Sequence, residues 1–98
     1  MHRFHHWRVQ IEDARDQRTL ARVIQDYRLT LTPAMVKSLP VECREAVERN
    51  DIPDVALKCL EAEMRCQGTP ELTNLLHEVA HTYAAAAVKL NALRDRRI

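Results

Sequence analysis

Apolar positions recur at helical spacing along most of the chain. From Asp16 onward, Leu20, Val23, Ile24, Tyr27 and Leu31 share one helix face, while Arg18, Arg22, Asp26 and Arg28 fall outside it. Thr32-Pro33 reads as an N-cap followed by proline in the first helical turn. The short segment it starts stops before Pro40, because a residue preceding proline avoids helical geometry. A helix over residues 40–49 follows, with Arg44–Glu48 and Glu45–Arg49 spaced as i,i+4 ion pairs. Asn50-Asp51 predicts a turn. The next helix then starts at Pro53, with Leu57, Leu60 and Met64 facing inward and Gly68 closing it just past its C-terminus. Residues 1–15 are ambiguous. Phe4, Trp7, Ile11 and Ala14 have helical spacing, whereas Trp7, Val9 and Ile11 alternate as in a strand. A lone strand has no pairing partner, so an N-terminal arm or short helix is expected, separated by a break near residues 13–16 from a single helical domain over residues 16–98.

The last helix has the clearest pattern. Thr69-Pro70-Glu71 repeats the Thr-Pro start, with an acid in the first turn. Leu72, Leu76, Val79, Tyr83, Ala86, Leu90 and Leu93 then recur in alternating steps of four and three, which is a heptad seam. Arg94, Arg96 and Arg97 close it where a helix dipole favours cations. Some 26 residues at 1.5 Å rise give roughly 40 Å, long for so small a domain. The opposite face carries His77, His81, Ala84, Ala85, Val88 and Ala92. Small residues permit close helix approach, and a helix apolar on two faces is usually sandwiched. The expected partner for this second face is another copy of the chain, with His81, Ala84, Ala85, Val88 and Ala92 at a homodimer interface.

Composition supports this reading. A chain of 98 residues makes one domain, and its single glycine and four prolines are too few for the turns of an all-β fold. The expected fold class is all-α: a small bundle of four to five helices, short ones first and one long C-terminal helix. A net charge of +1 leaves no electrostatic footprint for nucleic acid. A helix-turn-helix can be drawn within residues 40–65, so a DNA-binding regulator stands as a second alternative. Its second helix, however, would turn Asp54, Glu61 and Glu63 toward phosphates. Three cysteines, at 43, 59 and 66, do not make a disulfide framework, and a reducing cytoplasm is the expected setting, with the thiols as small apolar fillers. The first ten residues have no apolar run of signal-peptide type, and no membrane span is expected anywhere. His2, His5 and His6 read as part of a solvated arm.

One segment carries specific chemistry. His77-Glu78-Val79-Ala80-His81 fits H-E-x-x-H, and on a helix the i and i+4 histidines can turn their ring nitrogens to one ion. The segment resembles the active-site helix of the zincin metallopeptidases. That resemblance implies His77 and His81 as zinc ligands and Glu78 as general base toward a metal-bound water. It covers about ten residues. Ala84 stands where the longer zincin motif has glycine, Asn74 stands where the family usually has Val or Thr, and no His or Glu follows residue 81. Asp95 is the one downstream acid, roughly 21 Å along the same helix and out of reach. Cys59 precedes Gly68 by as many residues as His77 follows it, which makes Cys59, His77 and His81 the candidate ligand set. No phosphate-binding glycine loop, G-x-S-x-G or cysteine-nucleophile signature is present. The sequence therefore predicts a non-catalytic protein-protein interaction or regulatory module, a homo-oligomer with no cofactor and a protein partner it does not identify. A zinc-binding protein or metallohydrolase is the alternative.

Overall fold

A computed structural model describes residues 3–65 and 68–95, with side chains from residue 6 onward. The readings of His2, Cys66, Arg96 and Arg97, and of the Phe4 and His5 side chains, lie outside the described residues. Among the described residues six helices follow in order: α1 (Arg3–Asp13), α2 (Gln17–Thr30), α3 (Pro33–Ser38), α4 (Val41–Arg49), α5 (Ile52–Arg65) and α6 (Pro70–Asp95). The fold is an all-α bundle in which five shorter helices precede one long one, with α1 in place of the ambiguous arm.

Local chemistry sets most boundaries. The Asp16 carboxylate accepts from the Thr19 N–H at 2.7 Å and starts α2, so the chain breaks between Asp13 and Gln17. Thr32 caps α3 by accepting from the Met35 N–H at 3.2 Å, with Pro33 in its first turn. Asn50 ends α4 in the left-handed region, at φ 60°, a conformation asparagine tolerates better than most residues. Thr69 starts α6 by accepting from the Leu72 N–H at 3.2 Å. Gly68, expected to close α5 just past its C-terminus, follows residues 66–67, which lie outside the described residues. Helix α5 is described only to Arg65, short of the glycine.

The heptad seam of α6 forms the spine of the core. Leu76, Val79, Tyr83, Ala86 and Leu93 are buried, and Leu72 and Leu90 pack against them. Helix α2 contributes Leu20, Val23, Ile24 and Tyr27, followed by Leu31 just beyond it. The Tyr27 and Tyr83 rings meet edge-to-face at 6.0 Å, and Trp7 of α1 stacks edge-on against Tyr27 at 5.5 Å. Pairs of this kind add about 0.5–1.5 kcal/mol beyond area burial. Ile11 is buried too, and Lys89 donates to the Glu12 carbonyl at 2.6 Å, tying α6 to the end of α1.

Helix α5 packs most extensively against α6. It does so with Val55, Ala56, Cys59 and Ala62, not with the leucine face that the sequence suggested. Leu57 and Met64 are exposed, and Leu60 is half-buried. Two apolar faces competed on this helix, and the one with alanine and cysteine lets the two backbones approach closely. The ion pairs differ as well. Arg49 pairs with Asp54 across the α4–α5 turn instead of with Glu45, and no carboxylate pairs with Arg44 among the described residues. No helix among the described residues is long and apolar enough to cross a membrane.

Candidate metal centre

The last turns of α5 and the second and third turns of α6 bring Glu63, His77 and His81 together. Each offers one ligand atom, and these atoms lie within 4.8 Å of one another. The Glu63 carboxylate is 2.6 Å from His77 Nδ1 and 3.9 Å from His81 Nε2. The two imidazoles stack on successive turns with centroids 4.1 Å apart. Their i,i+4 spacing puts both on one face of α6, and the close α5–α6 packing carries Glu63 to them.

The donor set suits a borderline metal ion. Two imidazole nitrogens and a carboxylate oxygen form one of the common three-ligand zinc sets, with a remaining position for water. Tetrahedral zinc with bonds of about 2.0–2.2 Å separates its ligand atoms by roughly 3.3–3.5 Å. The Glu63–His77 contact would open by roughly 0.7 Å, and the widest separation among the three ligand atoms, up to 4.8 Å, would close by roughly 1.3 Å through side-chain rotation. The site lies at the surface. The side chains of His77 and His81 are 60% and 41% exposed, and Glu63 is 23% exposed, so a fourth ligand can enter from solvent.

Cys59 lies elsewhere. It is fully buried, and its thiol hydrogen-bonds the Cys43 thiol of α4; that contact and burial both push the Cys59 thiol up, while for Cys43 the contact lowers the thiol against the opposing effect of burial. Cys59 and Glu63 are one turn apart on nearly the same helix face. The expected ligand Cys59 is thus not brought to the histidines, and the acid that is, Glu63, lies one turn further along α5. The hairpin is not symmetric about Gly68: α6 begins at Pro70, and α5 is described to Arg65. The signal for Glu63 was available: an acid flanking the Ala56–Cys59–Ala62 face, one turn nearer the connection.

Glu78 is half-buried on the other flank of α6. It lies near enough to Tyr27 of α2 for its charge to help burial raise the Tyr27 hydroxyl, with a Thr82 hydroxyl opposing them. The carboxylate brought to the histidines is that of Glu63. Of the other residues on the second face of α6, Ala84 and Ala85 pack partly on the core, while Val88 and Ala92 are exposed. No protein-family model, no curated protein and no solved structure matches the chain.

Proposed function

We propose that this protein is a non-catalytic metal-binding helical module that takes one zinc ion at Glu63, His77 and His81. The observation that carries the reading is the convergence of three ligand atoms, from two helices, within 4.8 Å. An ion there would link α5 to α6 near their connection and so couple metal supply to the stability of the hairpin. The position of Glu78, toward Tyr27, favours binding over hydrolysis. Isothermal titration of tag-free protein with zinc should give one equivalent per chain, and His77→Ala should abolish it. Equal zinc uptake by wild type and His77→Ala would refute the assignment.

A second reading, a homodimer through α6, is supported by Val88, which is 71% exposed one turn from exposed Ala92 on the same helix face as the histidines. Burying such a valine removes apolar surface from water, while the small neighbours allow close contact. Light scattering should give twice the chain mass for wild type and a monomer mass for Val88→Glu. A monomeric wild type, with and without zinc, would rule the dimer out.

A further inference from the structure

We propose that the groove between α2, α3 and α4 binds a small amphipathic anion: a carboxylate or phosphate head carried on an apolar chain. The groove is separate from the metal centre and the inference does not depend on it. It encloses about 570 Å³, within the range of small-ligand sites. Leu29, Val36 and Val47 supply an apolar lining, and Leu29 is 73% exposed. Arg28, Lys37 and Arg44 stand around that lining, with Glu48 as the single acid. Among the described residues no carboxylate lies within ion-pair distance of any of these three cations.

The helix dipoles sort the cations. Arg28 and Lys37 are in the last turns of α2 and α3, where the negative helix end favours positive charge. Arg44 is in the first turns of α4, where the dipole opposes it. An anion in the groove would offset that repulsion and accept charge-assisted hydrogen bonds from two guanidinium groups. Together these features specify a free amphiphile with an anionic head, small enough to enter as a whole.

The test is a titration of the whole chain followed by amide chemical shifts, with decanoate and decyltrimethylammonium as probes of opposite charge. Decanoate should shift the amides of Leu29, Val36 and Val47 saturably, and decyltrimethylammonium at equal concentration should not. The Lys37→Glu/Arg44→Glu variant, whose folding is checked by an unchanged helical circular dichroism signal, should bind decanoate at least about tenfold more weakly. Equal shifts from both probes would overturn the proposal. So would no saturable shift at these residues, or association only with vesicles of anionic phospholipid, which would mean that a membrane surface is the partner.

Discussion

At the scale of single residues, the core holds a buried hydroxyl whose removal should help, that of Tyr83. Tyr83 is fully buried, and its hydroxyl has no hydrogen-bond partner among the described residues. A buried unsatisfied hydroxyl costs about 1–3 kcal/mol, so Tyr83→Phe should leave stability unchanged or raise it by about 1 kcal/mol in urea denaturation. A loss of more than about 1 kcal/mol would mean that the hydroxyl is satisfied. The same residue shows where sequence reading succeeds. Its position in the heptad seam predicted burial, because periodicity reports which face is dry. Periodicity says nothing about where a hydroxyl points. The candidate site was half legible for a related reason. His77 and His81 were found because i,i+4 spacing is a property of one helix. Glu63 was not, because its distance from them depends on how two helices slide past each other.

At the scale of elements, helix starts were readable and helix faces less so. Asp16, Thr32 and Thr69 each accept from the N–H three residues on, an interaction local enough to follow from a few residues of sequence. The inward face of α5 was not, since Leu57 and Met64 on one side and Ala56, Cys59 and Ala62 on the other were both apolar. Close packing against α6 selected the smaller side. That packing makes the α5–α6 hairpin the element a metal ion would stabilise. Binding only to the folded state contributes about 2.7 kcal/mol when free zinc is a hundred times the dissociation constant. For a domain of this size that corresponds to a Tm rise on the order of 10 °C in a thermal melt. The rise should be absent in His77→Ala, and an identical rise in that variant would place the ion elsewhere.

At the scale of the whole molecule, the two central tyrosines tie stability to alkaline pH. Burial pushes Tyr83 up to about 12, outweighing the nearby Arg28, and raises Tyr27 as well. Unfolded tyrosine ionises near about pH 10, so above that value the unfolded chain releases protons that the folded chain retains. These groups therefore support the fold fully below about pH 10, and their contribution is lost as pH rises toward about 12. Urea denaturation should show stability falling by up to about 1.4 kcal/mol per pH unit per tyrosine in that window. The slope should be shallower in Tyr83→Phe; equal slopes in the two proteins would contradict the assignment. The molecule measures 45 × 26 × 21 Å, and its long axis follows from the length of α6. The overall class was legible because helical spacing repeats throughout the chain. The arrangement was less so, because the way α1 and α5 lie against α6 is set by long-range packing.

The central claim is that Glu63, and not Cys59, completes a metal site with His77 and His81. Zinc titration of wild type, Glu63→Gln and Cys59→Ala tests it most directly. The structure predicts one equivalent bound by wild type and by Cys59→Ala, and an affinity at least about tenfold lower for Glu63→Gln, since a neutral amide is a poorer ligand than a carboxylate. Loss of zinc in Cys59→Ala with retention in Glu63→Gln would contradict it.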